Sequence, residues 1–345
     1  MESSIPLMRI VITGHGIDAS DSPLRSQIAD PLRFLGHEVV AVAPTKAAMS
    51  WGLDRYSPEM FIVVPTSGSP NREEVRALTI DAGCVAMCFH TGFSSPGAVT
   101  NLDEIAEDLR EYDLVSVPDQ QTFEEYSGLG TFRLSLLEPA VHPPALMEFV
   151  PSERRGVVVV GDADPSNIDA VLTLEAVDDL MILGDGWGDI PINAACIDDL
   201  PLLERASLFA GSKLVLELPV ALCRQSLIRR SHYELPITSF VYEASAVGTP
   251  SLVQSRPGVA PILTPGQEIF TFDKLEDLTD LVPLLVSDVR EINEVGNAAW
   301  SKITAEHTWA QRWRSFLDPW VQEETLDSRS NVAQTNDNKQ LIRAS

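Results

Sequence analysis

Glu243 lies in the segment VYEASAVGTP, residues 241–250, and its setting is the strongest chemical signal in the chain. Thr238 or Ser239 can cap a helix that begins near Phe240, which puts Glu243 in its first or second turn. The free backbone N–H groups at such a helix start attract an anion such as phosphate. A carboxylate beside them can accept hydrogen bonds from two neighbouring hydroxyls, as on a ribose. The alternative is an exposed acidic residue that only complements the helix dipole. Gly248 is expected to end the helix in a left-handed conformation, and Thr249-Pro250 then leads into the strand-like Ser251-Leu252-Val253. Thr249 is a further candidate ligand contact.

A bound diphosphate needs cations or helix ends. Cations are scarce here, because 50 acidic residues against 25 basic give a net charge of −25. That surface repels nucleic acid and anionic membrane unless it carries a local basic patch. The densest basic group is Arg224, Arg229 and Arg230, with Lys213 upstream. Arg224 and Arg230 are the phosphate-ligand candidates; otherwise the group is a solvated patch. His90 follows the apolar run CVAMCF, residues 84–89, and so stands at the C-terminal end of a strand, the ligand edge of an open α/β sheet. There it is either a general base on a hydroxyl or a loop histidine with packing duties. Gly14 and Gly16 flank His15 after the first strand, and either face a ligand or form a plain tight turn. Gly184-Asp185-Gly186-Trp187 ends another strand, where Gly184 and Trp187 bracket a base or Trp187 packs at the surface.

Other chemistries are not signalled. Gly14-His15-Gly16 is not a GxGxxG fingerprint, so no dinucleotide cofactor is expected. The six histidines and the aspartates do not cluster at metal-ligand spacing. There is no GxSxG elbow and no P-loop. Cys84, Cys88, Cys196 and Cys223 contain no CxxC pair and are expected to be free thiols. No apolar run reaches the ~18 residues of a membrane span, and no signal peptide is recognised, so the cytoplasm is the expected compartment.

The elements that must hold these residues alternate between strand and helix. Residues 8–13, 37–44, 61–64, 84–89, 113–117 and 132–137 read as strands, with helices expected at 22–35, 71–82, 102–111 and 119–127. Residues 139–156 hold four prolines and mark a boundary. The pattern restarts with strands at 156–161, 180–184, 213–218, 251–254 and 268–272. Helices are expected at 166–178, 200–211, 274–287 and about 288–321. Near-continuous apolar strands in alternation with helices give parallel sheets covered on both faces. The expected division is a first domain over 1–145, a second over 155–321 and a disordered polar tail over 322–345.

The second half resembles the spore-maturation-protein-like (CgeB-type) glycosyltransferases. Val157 to Gly161 resembles that group's opening strand, and Ile182 to Trp187 its Gly-rich turn with tryptophan. Ser212 to Glu217, Val241 to Gly248, Pro265 to Phe272 and Glu306 to Arg312 follow in the same order. The resemblance covers roughly 157–316, and more loosely 112–143. It implies the GT-B fold: two facing Rossmann-like α/β domains with a cleft between them. It further implies a metal-independent transfer of a sugar from a nucleotide-sugar donor, a substrate and not a cofactor. The acceptor would be a glycan, a protein or a small molecule. Glu243, Arg224, Arg230, Gly184, Trp187, Thr249, Gly14 and Gly16 would then contact the donor, with His90 catalytic. The group carries an arginine three residues before the motif glutamate, where this chain has Phe240; that directs the search for a phosphate cation to Arg224 and Arg230. An inactive binding protein on the same fold and a nucleotide-sugar epimerase are the rival expectations.

Overall fold

The computed structural model describes residues 6–17, 19, 22–65, 70–90, 102–129, 132–143, 146, 153–174, 176–219 and 237–318. Its first sheet contains β1 (Arg9–Thr13), β2 (Glu38–Val42), β3 (Met60–Val63), β4 (Val85–Phe89), β5 (Leu114–Val117) and β6 (Arg133–Leu136). They are all parallel, in the order β2-β1-β3-β4-β5-β6. A π-helical turn at Arg25–Ala29 runs into α1 (Asp30–Phe34); α2 (Lys46–Tyr56), α3 (Arg72–Ala82), α4 (Leu102–Leu109) and α5 (Gln120–Tyr126) complete the crossovers.

The second sheet holds β7 (Val157–Val160), β8 (Leu180–Leu183), β9 (Ala195–Ile197), β10 (Leu214–Glu217), β11 (Ser251–Gln254) and β12 (Phe270–Phe272). It too is parallel, in the order β12-β11-β10-β7-β8-β9. Its helices are α6 (Pro165–Leu172), α7 (Leu202–Gly211), α8 (Ser239–Ala246), α9 (Leu278–Ser287) and α10 (Val289–Glu306).

Both sheets are buried on two faces, which is why their central strands are largely apolar. Ile10 and Ile12 feed one layer while Val11 between them feeds the other. Val158 and Val160 likewise part from Val157 and Val159. The crossover helices α3, α5 and α6 begin on side-chain caps. Asn71, Asp119 and Asp164 each accept the backbone N–H three residues on, at 3.1, 2.8 and 2.9 Å.

The α/β reading and the parallel sheets hold. Two elements were not expected. α2 runs unbroken through Gly52, whose lack of a side chain allows close approach to Val42 and Val11. β9 is three residues long and mostly exposed, too short for a hydrophobic signal.

The largest departure concerns the C-terminal helical block. It breaks at His307, and the helical residues 309–318 leave the second sheet. Trp309, Trp313, Phe316 and Leu317 are buried in the first core with Ile10, Ile12, Leu32 and Met87. The Trp313 indole N–H donates to the Gln27 carbonyl at 2.7 Å. The side chains of this stretch thus complete the first domain instead of the second, where the sequence pattern placed them. Backbone pairing fastens the crossing: Val141 N–H donates to the His307 carbonyl at 3.1 Å, and Trp309 N–H to the Val141 carbonyl at 2.7 Å.

Trp313→Ala is expected to cost about 3–5 kcal/mol of stability, as for a fully buried aromatic. Urea unfolding measures it, and a loss below ~1 kcal/mol would mean that the first core does not depend on the crossing segment.

His307 gives the junction a pH dependence. Its ring is buried, and since Arg312 can only donate, the 2.9 Å contact makes Nδ1 the acceptor. Burial, assisted by Arg312, pushes the ring's pKa down to about 4. The unfolded ring takes a proton near 6.5. Between those values the unfolded chain binds more protons, so stability falls as pH drops from about 6.5 towards 4, by ~2–3 kcal/mol from this group. His307→Gln should flatten that part of the stability–pH curve; an unchanged slope would show that His307 is not the group responsible.

Candidate functional site

In an open parallel sheet, ligands bind outside the C-terminal strand ends where the strand order reverses. In the second sheet that point lies between β7 and β10, and the loops meet closely there. A side chain on Gly161 would come within 2.8 Å of the Leu218 Cβ, and one on Gly184 within 2.2 Å of the Gly161 carbonyl oxygen. The Asn167 amide nitrogen, in the first turn of α6, donates to the carbonyls of Asp162 and Pro219, both at 3.0 Å. Its Oδ1 is buried without a partner. The loops after β7 and β8 are also joined, Ala163 N–H donating to the Asp185 carbonyl at 2.9 Å and Asp185 N–H to the Asp162 carboxylate at 3.0 Å. These contacts form a fixed floor of backbone at the sheet edge.

Beside that floor α8 begins. Thr238 occupies its N-cap, but its side chain makes no capping bond and its Oγ1 has no partner. The Thr238 N–H is held instead by Glu217, at the end of β10, at 3.2 Å. Glu217 is buried and paired with buried Arg256, which follows β11, at 2.8 Å. This pair sets the position of the α8 start.

Glu243 is the fifth residue of α8 and is 7% exposed, so it is not the solvated helix-start acid of the alternative reading. It faces Arg205, in the first turns of α7. Arg205 Nε donates to Oε2 at 2.6 Å and Nη2 to Oε1 at 2.9 Å. The Arg205 Cζ lies 5.2 Å from the centre of the Phe240 ring. Arg205 Nη1 donates to the Leu200 carbonyl at 2.9 Å, and Asp199 stands 3.6 Å away. Burial raises the Glu243 pKa, and Arg205 opposes that rise. A guanidinium from another helix thus lies over the Phe240 ring and pairs with Glu243.

Sequence reasoning missed Arg205, Glu217 and Arg256. A signal existed for the first. In α7, Leu202, Ala206, Phe209 and Ala210 form the buried stripe, and Arg205 falls within it. A charge on an apolar stripe must be paired.

Two sequence candidates are corrected. Trp187 is 1% exposed, within the core that holds Val157, Val159 and Leu216, and its indole N–H donates to the Gly161 carbonyl at 2.8 Å. A ring so enclosed offers no face to a base. Thr249 is wholly buried and donates its hydroxyl to the Phe209 carbonyl at 2.8 Å. It follows the C-terminal end of α8 and precedes β11, so it lies at the opposite edge of the sheet from the α8 start. Gly184 does reach the ligand edge, with φ +156°, as part of the floor. Arg224 and Arg230 lie outside the described residues.

In the first sheet the order changes between β1 and β3, and Gly14 sits there, with any side chain 2.9 Å from the Val64 Cβ. Gly16 has φ +71° and open space around it. His90 follows β4 at the same sheet edge, its Nε2 3.2 Å from the Tyr126 hydroxyl and its backbone N–H on the Ser116 carbonyl. Burial pushes its pKa down to about 4, so the ring is neutral at pH 7. Among the described residues no group of three or more His, Cys, Asp or Glu could hold a metal ion, and no helix is long and apolar enough to cross a membrane.

Residues 168–318 match the family model described as glycosyl transferase-like. No curated protein sequence matches the chain. Among solved structures, the fold is similar to sucrose-phosphate synthase from Thermosynechococcus elongatus. That match has 12% identity and a TM-score of 0.61, covering 92% of this chain and 99% of that one. It is similar to Anabaena HepE, solved in complex with UDP and glucose, with 12% identity and a TM-score of 0.61 over 93% of this chain and 100% of that one. A glycosyltransferase from Rickettsia africae matches with 10% identity and a TM-score of 0.60, over 91% and 98% of the two chains. The chain has the GT-B fold of two Rossmann-like units, and its residues 168–318 are similar to the glycosyl transferase-like family.

Proposed function

We propose that this chain transfers a sugar from a nucleotide-sugar donor, with UDP as the carried nucleotide, to an acceptor held at the edge of the first sheet. The observation that carries the reading is the uncapped start of α8 beside Glu243, at the point where the second sheet changes strand order. Support for UDP comes from HepE, which has been solved with UDP and with UDP-glucose. In this reading the Glu243 carboxylate accepts the ribose hydroxyls, and the α8 start meets the diphosphate. Gly184 lets the base lie against the backbone floor.

The transition state gathers positive charge on the sugar and negative charge on the leaving diphosphate. The helix start and a guanidinium from Arg224 or Arg230 would stabilise the second, without a metal. Gly14 and Gly16 would approach the sugar phosphate from the first domain. His90, kept neutral by burial, would take the proton of the attacking hydroxyl. The CgeB-type relationship is the finer family reading that these motifs favour.

Calorimetry with UDP, GDP and several nucleotide sugars tests the proposal. UDP and at least one UDP-sugar should bind, and Glu243→Ala should weaken that binding by about 1–3 kcal/mol through lost charge-assisted hydrogen bonds. If no nucleotide or nucleotide sugar binds, the proposal fails. Interconversion of sugar epimers in place of transfer would point to an epimerase instead.

A further inference from the structure

Resting on the reading of this edge as a donor site, we infer that Arg205 is its positioning residue: its two-pronged contact fixes the Glu243 carboxylate so that the oxygens' remaining lone pairs meet the vicinal hydroxyls of a ribose. A carboxylate offers about four acceptor sites, and the Arg205 fork takes one on each oxygen. One site on each oxygen remains. Both α7 and α8 begin near the ligand edge of the sheet, and the buried pair joins the fourth residue of the first to the fifth residue of the second. Three contacts hold Arg205 itself: the Leu200 carbonyl, Asp199 and the face of Phe240. A guanidinium held on several sides is a fixed support, unlike a side chain free to follow a ligand.

The same contact settles the charge on Glu243. Burial favours the protonated form of this carboxyl, and Arg205 favours the ionised one. Among the described residues few other charges act on it. Asp199 opposes ionisation. Glu217 and Arg256, at the ends of β10 and β11, neutralise each other, as do Lys302 and Glu306 on α10. Among the described residues Arg205 is the cation whose contact favours the ionised, acceptor-only form of Glu243, the form a hydroxyl pair requires.

The test compares UDP with 2′-deoxy-UDP on wild type, Arg205→Met and Arg205→Lys, by calorimetry from pH 5.5 to 8.5, with a melting curve for each variant. Wild type should prefer UDP at every pH. Arg205→Met should bind UDP at least tenfold more weakly at pH 6, recover as pH rises, and show a UDP preference that shrinks towards one. Arg205→Lys keeps the charge but loses the fork and the stacking on Phe240. It should bind UDP three- to tenfold more weakly, with no new pH dependence. A wild-type affinity in both variants overturns the inference. So does a loss in Arg205→Met that is the same at every pH and for both nucleotides, since that is the signature of a collapsed pocket. Should Arg205→Met not fold, Arg205→Lys decides: weakened UDP binding at an unchanged melting temperature supports the inference, and unchanged binding overturns it. Failure of wild type to bind UDP would reject the donor-site reading itself, a result distinct from either variant outcome.

Discussion

A parallel strand cannot turn straight back to its neighbour, so each connection must cross the sheet and return from the far edge. Every strand therefore ends on the same edge, and every following helix starts there. That constraint gathers the chain's loops and helix N-termini into two lines, one per sheet, and all else follows from it. At the points where strand order changes, neighbouring loops diverge and leave a crevice. Gly14 and Gly161 stand at those two points, each so close to the opposite loop that a side chain would collide. The constraint also explains why Thr249 is not a ligand residue although it belongs to the same motif as Glu243. Glu243 lies within α8 and Thr249 just past its C-terminal end, and a crossover helix carries the chain from the ligand edge to the other.

The second sheet spends its buried charges at the ligand edge. Arg205 with Glu243 and Arg256 with Glu217 are both buried pairs, and both border the start of α8. Well-packed apolar residues would serve stability as well or better, because the loss of hydration offsets much of the attraction in such pairs. Their value here is geometric. A carboxylate with both oxygens engaged has one orientation, and through its bond to Thr238 N–H Glu217 passes that orientation to the helix start. Hydrophobic contacts are not directional in this way. Two ion pairs thus define a helix N-terminus and a carboxylate to within hydrogen-bond tolerance, which is the accuracy that recognition of a polar ligand demands.

The sequence disclosed what depends on local order. Runs such as MFIV and VVVV can only be strands buried on both sides, and the α8 helix with Glu243 was legible from its cap residues and Gly248. What it concealed depends on long-range contact. Trp187 follows a glycine-rich turn, and nothing local decides whether such a ring stacks on a ligand or turns back to the Gly161 carbonyl. Residues 288–321 read as one helical block, but a helical pattern does not name the core that buries Trp309, Trp313, Phe316 and Leu317. The exception is Arg205, whose place among Leu202, Ala206 and Phe209 was visible as a conflict between charge and pattern. Such conflicts mark sites, because a chain keeps them only where a partner resolves them.

The crossing segment also bears on how the two halves of the site are held. Phe89 is flanked by Trp309 and Trp313, with ring centres 6.1 and 6.0 Å away. Phe89 is the residue before His90. On the other side His307 meets the ring of Tyr242 at 6.2 Å, and Tyr242 is the residue before Glu243. One stretch of seven residues, 307–313, thus touches the immediate neighbour of the candidate base in one domain and of the candidate ribose ligand in the other. Adjacent residues share a backbone, so a shift of either ring carries the neighbouring group with it. Among the described residues this element links the surroundings of His90 and Glu243, and it is fastened at Val141 by hydrogen bonds to the residues on both sides of Thr308. A transfer reaction between ligands on two domains needs just such a link, since its rate depends on the distance between groups that share no sheet.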